Sequence, residues 1–348
     1  NGEKFFLAKG KSLKIARSVF SYENSVRDVA LFSIDGIESA VISDSVFEPG
    51  NGRRTYGLEI LSSVVDINNS KVHSGVGKTK ATGVFVSESE LSSDGLVLVG
   101  NREAWIATCL EAEFSTVNIR NARIDAFADR GVVAIQTEGT ELDLRSSRIR
   151  GLAGSEFIYL AKLSSTRGTL TGNMLTGSKT RDFIGIHSQN SNLGLINNTI
   201  IAGTGSNVTA GITLFGNEES KLVNNILYGP ESLGTAISID GPGRGLRILN
   251  NALDGWESYF KTTVGPFNSL VDLEEADLAR EGGRISGNFL EEKELTFVAD
   301  DDGVFRLSPS SRSVDAGFNP ILLNETIRAD YDGDIRQDPF DVGADEIR

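Results

Sequence analysis

The chain has 348 residues, a formal net charge of −14 and a single cysteine. That balance argues against nucleic acid or anionic lipid as the principal partner, and one cysteine excludes an intrachain disulfide framework. No run approaches the ~18 apolar residues of a membrane helix, and with 7% aromatic residues and 38 glycines the composition is that of a β-rich folded protein.

Residues 1–11 are too short for a developed end cap. Phe5, Phe6 and Leu7 would cover an open end, and the favoured expectation is that further coils precede them. From Ile15 onward an apolar pair five residues apart recurs along the chain. The first members are Ile15, Ile42, Ile67, Leu91, Ile119, Leu144, Leu170, Leu195, Leu222, Ile248 and, after a longer gap, Ile285. The partners run from Phe20, Phe47 and Val72 through Leu96, Ile124 and Ile149 to Leu253 and Leu290. From Ile15 to Ile248 the steps are 27, 25, 24, 28, 25, 26, 25, 27 and 26 residues. A period in the twenties marks stacked supersecondary units, each too small to bury its own face.

Within a unit, alternation surrounds the first anchor, as in Val65-x-Ile67, Val117-x-Ile119 and Leu193-x-Leu195, which places these side chains on one face of a strand. A further strand follows in many copies, often led by glycine, as in Gly57-Leu-Glu-Ile60, Gly83-Val-Phe-Val86 and Gly211-Ile-Thr-Leu214. Turn residues such as Glu48-Pro-Gly-Asn-Gly-Arg53 lie between them. No repeat carries a sustained 3.6-residue apolar stripe with caps at both ends. Three short strands per unit describe an all-β, right-handed parallel β-helix, a solenoid of about eleven coils of roughly 26 residues. At about 4.8 Å per coil its axis is about 50 Å long.

Three residues beyond the first anchor stand Asn173, Asn198, Asn225, Asn251 and Asn288, with Ser18, Ser45, Ser70 and Ser147 in earlier copies. Asparagine tolerates the left-handed backbone of a sharp bend, and its amide can hydrogen-bond to the next coil, so a buried asparagine ladder is expected.

Chemistry-bearing side chains are few. His73 ends Ile67-Asn-Asn-Ser-Lys-Val-His73 in a predicted turn and reads as a solvated surface residue. Cys109, within Trp105-Ile-Ala-Thr-Cys-Leu110, reads as a core filler. His187 lies in Phe183-Ile-Gly-Ile-His-Ser-Gln189, where alternation turns Ile186 inward and His187 outward. One coil earlier, Phe157-Ile-Tyr-Leu-Ala-Lys162 offers Tyr159 and Lys162, and Arg181 precedes the histidine strand. These four residues are the candidate catalytic set, a base and cations suited to proton abstraction and β-elimination.

The β-helix is expected over residues 1–300, interrupted at 257–284 by a charged insert whose Leu270, Leu273 and Leu278 suggest a short helix. Residues 301–348 form a capping tail that packs on the helix. Within it, Asp330-x-Asp332-x-Asp334 offers three carboxylates at alternate positions for calcium, without the closing glutamate of a complete calcium loop; the alternative is turn-capping aspartates paired with Arg328 and Arg336.

The tail also carries Phe305-Arg-Leu-Ser-Pro-Ser-Ser-Arg-Ser-Val-Asp-Ala-Gly317, Asp330-Tyr-Asp-Gly-Asp-Ile-Arg336 and Asp341-Val-Gly-Ala-Asp-Glu346. In that order these motifs resemble the C-terminal ending of secreted bacterial, pectate-lyase-like parallel β-helix repeat proteins of the "choice-of-anchor" type. The resemblance implies export to the cell surface and contact with polysaccharide, and names no substrate. Enzymes of that fold carry an Asp-Pro-His, Asn-Thr-Asp-Gly or Gly-His-Gly signature, and none is present here. The expected function is therefore an exported β-helix that binds polysaccharide or serves as an adhesive or structural rod. A polysaccharide lyase acting on an acidic glycan is the alternative.

Overall fold

A computed structural model of the chain describes residues 3–217, 219–241, 245–262, 265–267, 284–290, 297–299, 305–317, 330, 336 and 340–344. It is a parallel β-helix of the right-handed form that parallel crossovers adopt, and no helix occurs among the described residues. The helix expected over 270–280 lies outside them.

Each coil contributes three strands. The first strands, from Ser12–Ala16 through Val64–Asn68 and Asn192–Ile196 to Arg284–Ser286, stack into an eleven-stranded parallel sheet. A short strand follows after a corner, as in Lys71–His73 or Thr199–Ile201, and then a longer one, as in Asn51–Leu61, Val76–Ser87 or Thr180–Gln189. The inward residues of all three form one continuous apolar column, with Ile42, Ile67, Leu144, Leu195, Leu222 and Ile248 fully buried. Ile285, Phe20 and Leu290 lie in the terminal coils and are only partly covered.

Strand pairing corrects one repeat. Leu91 pairs with Val65 and Val117, so the residue level with Ile67 and Ile119 is Ser93. Its partner anchor is Leu98, level with Val72 and Ile124, rather than Leu96. The uneven steps of 24 and 28 thereby become 26 and 26. Ser93 is tolerated in the core because its hydroxyl donates to the Ile67 carbonyl at 2.6 Å.

With that frame, the residue two beyond the first anchor has a left-handed backbone in every coil: Arg17, Asp44, Asn69, Gly95, Asn121, Ser146, Gly172, Asn197, Asn224, Asn250 and Gly287. The next residue turns inward and forms the ladder. Asn173, Asn198, Asn225 and Asn251 are fully buried. Asn225 Nδ2 donates to Asn251 Oδ1 at 2.9 Å and to the Leu195 carbonyl at 2.7 Å, and its own Oδ1 accepts from Asn198 N–H and Nδ2, both at 3.0 Å. Serine rungs continue it more weakly at Ser45, Ser70 and Ser147, and Leu96 and Ala122 interrupt it.

A second ladder lines the corner leading into the first strands. There Ser63, Ser89 and Ser115 each donate to a carbonyl two residues back and, through Oγ, accept the N–H of Ile37, Ser63 and Ser89 respectively.

The two ends of the described coils are built differently. Phe5, Phe6 and Leu7 belong to a regular strand, Glu3–Ala8, paired in parallel with Val29–Asp35 and 41–51% exposed, so they are not a lid. At the other end the coil does not stop near Trp256. The strand Ala252–Thr262 stays paired with Ile226–Asp240 through two register shifts and then meets Gly265–Phe267 antiparallel, which reverses the chain at that edge.

The described tail residues lie along the flank. Gly343 N–H donates to the Asn224 carbonyl at 2.8 Å, Ala344 N–H to Thr199 Oγ1 at 3.0 Å, and Asn250 Nδ2 to the Ala316 carbonyl. Leu307 and Val342 pack with Ile226 and Ala252 in a small cluster of their own. The three tail motifs meet here. Arg336, buried, donates to the carbonyls of Gly343 and Asp341 at 2.6 and 3.3 Å, and Gly317 N–H donates to the Phe340 carbonyl at 2.5 Å.

Candidate functional site

The long strand of each coil is folded at one position. In–out alternation breaks there, and the pairing register steps past Gly57, Gly83, Cys109, Ala134, Leu160, Gly185 and Gly211 in successive coils. Two neighbouring residues then point inward, as Leu160 and Ala161 do, while the outward side chains on either side converge. Glycine suits the column because backbone passes close by. A Cβ on Gly185 would lie 2.5 Å from the Gly211 carbonyl oxygen, and one on Gly83 would lie 2.5 Å from that of Cys109. This is why a glycine so often leads that segment.

The outer surface of the bend is concave. Thr82, Thr108, Glu111, Val133, Ala210 and Thr213 point away from the core and are nevertheless buried. Rings meet across it, Tyr56 with Phe85 at 5.8 Å and Tyr159 with His187 at 5.9 Å between centroids.

Three of the four predicted site residues come together in this groove. Lys162 and His187 are register partners on adjacent coils, and Lys162 Nζ lies 6.0 Å from the Tyr159 ring centre. His187 Nδ1 is 2.8 Å from Thr213 Oγ1, and Phe215 closes its other side at 5.4 Å between centroids. Burial, and next the Lys162 ammonium, hold the His187 imidazolium below its ordinary titration range, so the ring is neutral at neutral pH. Burial, followed by the charge of Asp182, pushes the Tyr159 phenol up. Arg181 lies near the start of the same strand as His187, on the other side of the bend from it, where its Nε donates to Asp182 Oδ2 at 3.1 Å.

Thr213 carries the site onward. It lines a groove of about 470 Å³ together with Thr209, Thr235, Ser238, Glu257 and Lys261. Thr213, Ser238 and Lys261 share one column with His187. None of these residues was singled out from the sequence, although counting one repeat of 26 residues on from His187 reaches Thr213.

The remaining candidates are placed as follows. His73 is half-buried at the end of the strand Lys71–His73 rather than in a turn, 4.0 Å from Glu48, and burial lowers its pKa. Cys109 is fully buried in the bend column, and burial pushes its thiol up to about 12, which suits a core filler. Asp330 is buried, and its carbonyl accepts from Ser146 Oγ at 3.3 Å. Asp332 and Asp334, the other two proposed calcium ligands, lie outside the described residues. Among the described residues no three His, Cys, Asp or Glu side chains are grouped to hold a metal, and no helix is long and apolar enough to cross a membrane.

No protein-family model matches the chain, and no curated protein is similar to it.

Proposed function

We propose that this chain is an exported, cell-surface β-helix of the pectate-lyase-like kind that binds a polysaccharide along its concave groove and does no chemistry on it. The observation that carries this reading is that His187, set beside Tyr159 and Lys162, hydrogen-bonds to Thr213, which itself lines the groove of Thr235, Ser238 and Lys261. Aromatic rings offer faces for sugar rings, hydroxyls exchange hydrogen bonds with sugar hydroxyls, and the two lysines offset the repulsion between an acidic protein and an acidic polymer. The tail motifs support export through their resemblance to surface-anchored repeat proteins. Contact along several coils would also suit an adhesive rod.

The test is a glycan array run alongside an ultraviolet assay for unsaturated uronates. The expected result is retention of one or more glycans, weakened by Tyr159→Ala and Lys162→Ala, with no rise in absorbance. The lyase reading rests on a specific arrangement, a neutral imidazole beside an ammonium that could stabilise enolate charge. Absorbance that rises with the native chain and vanishes in His187→Ala would establish that reading instead.

A further inference from the structure

A second groove shares no lining residue with the polysaccharide groove. It is a trough of about 850 Å³ along the corner of the serine ladder, running from the coil of Gly36 to that of Arg167. Five coil steps give it a length of about 24 Å. Phe114 stands in it 64% exposed, in a left-handed turn position that the coils on either side fill with Glu88 and Gly139. Val64 stands in it 44% exposed. Both side chains leave much of their apolar surface open to solvent.

We propose that this trough docks an extended cationic peptide segment. Its floor has nothing spare to give, because the hydroxyls of Ser63, Ser89 and Ser115 already donate to backbone carbonyls. Recognition therefore rests with the walls, which present acceptors without matching donors. Glu38, Glu90 and Glu141 stand on alternate coils along one wall, and Glu88 faces them beside Phe114. None of these four has an ion-pair partner among the described residues, whereas Glu59, Glu111 and Glu156 are held by Lys4, Lys80 and Arg130. Alternate coils are about 9.6 Å apart, and a polyproline II chain repeats every three residues, about 9.3 Å. A basic side chain at every third position thus meets the glutamates in step. An arginine or lysine between them can also lie over the Phe114 ring. Arg167 ends the trough with a like charge.

The probe is a labelled peptide of about nine residues repeating Pro-Pro-Arg, roughly 28 Å long, followed by fluorescence anisotropy at about 50 mM salt, where charge attraction is little screened. The expected result is one-to-one binding to the native chain. The double change Glu90→Gln with Glu141→Gln should weaken it about tenfold, as two exposed ion pairs within their usual range would. Phe114→Ser should weaken it too without lowering the melting temperature, since Ser62 and Ser165 already occupy that turn position. The pair Glu23→Gln with Glu103→Gln, outside the trough, should leave binding intact, and so should His187→Ala. The proposal is overturned if the peptide does not bind, if the outside pair weakens it equally, or if the trough variants bind undiminished. It is overturned equally if a neutral oligosaccharide displaces the peptide from the trough.

Discussion

Each ladder corner is made by two adjacent residues with separate duties. The first adopts the left-handed backbone that turns the chain, and glycine, asparagine, serine, aspartate and arginine all serve there. The second is sealed from water and hands hydrogen bonds to the next coil. From the sequence both duties attach naturally to one asparagine, because asparagine is suited to each; only the backbone separates Asn224 from Asn225. Asn225→Leu should therefore destabilise the fold by about 1–3 kcal/mol, since it strands the Asn198 amide and the Leu195 carbonyl in a dry interior. Denaturant unfolding measures this, and an unchanged midpoint would mean the rungs carry no net stability. His187 answers to pH in a defined direction. Its folded-state titration lies below the ordinary 6.5, chiefly through burial and secondly through Lys162. Between the two values the unfolded chain binds more protons, so the stability His187 contributes is present above about 6.5 and is lost as pH falls toward the folded value. Lys162→Met should raise the His187 midpoint, read by proton NMR across the titration, and narrow that window. A midpoint that stays put or falls would remove the ammonium as a cause.

At the level of elements, the anchors were legible because leucine and isoleucine at fixed offsets leave few alternatives. Legibility failed where chemistry is ambiguous. Ser93 hides its inward position behind a hydroxyl, so the flanking Leu91 and Leu96 captured the repeat frame. The serine ladder escaped notice for the same reason, since serine fits a turn, a surface and a buried rung equally well. The concave bend could not be read because a strand that folds on itself keeps its composition and loses only its alternation. Of the candidate site, His187, Tyr159 and Lys162 were found by their chemistry, whereas Thr213 and Lys261 become visible only once coils are registered. The tail motifs read as a signature of a protein class and prove to be a set of mutual contacts. Gly343 has φ 103°, and a Cβ there would meet Ile226 Cδ1 at 2.5 Å and Thr199 Oγ1 at 2.8 Å. Gly343→Ala should cost roughly 1–3 kcal/mol of local strain and free the tail while the coils stay folded. Limited proteolysis should then clip the tail early and spare the body; simultaneous loss of both would show that tail and coils fold as one unit.

Across the whole molecule, stability is a sum of coil-to-coil interfaces rather than of one globular core. Those interfaces are not equal. From Asn173 to Asn251 each rung makes two bonds to the next amide oxygen and a further one to a carbonyl, whereas serine rungs make one amide-to-hydroxyl link between coils. Leu96 and Ala122 make none through their side chains. Amide hydrogen exchange should accordingly be slowest around Asn198–Asn225 and faster toward the amino-terminal coils; uniform protection would show that the rungs are interchangeable. Pulled lengthwise, such a molecule behaves as a zipper with graded teeth. Under tension it should peel from its serine-runged end, each coil of about 26 residues paying out roughly 90 Å of chain, and should hold longest where the asparagines are stacked. The interruption at Leu96 and Ala122 would then act as a weak link, letting the front of the rod absorb a load while the stretch bearing His187 and the groove keeps its shape.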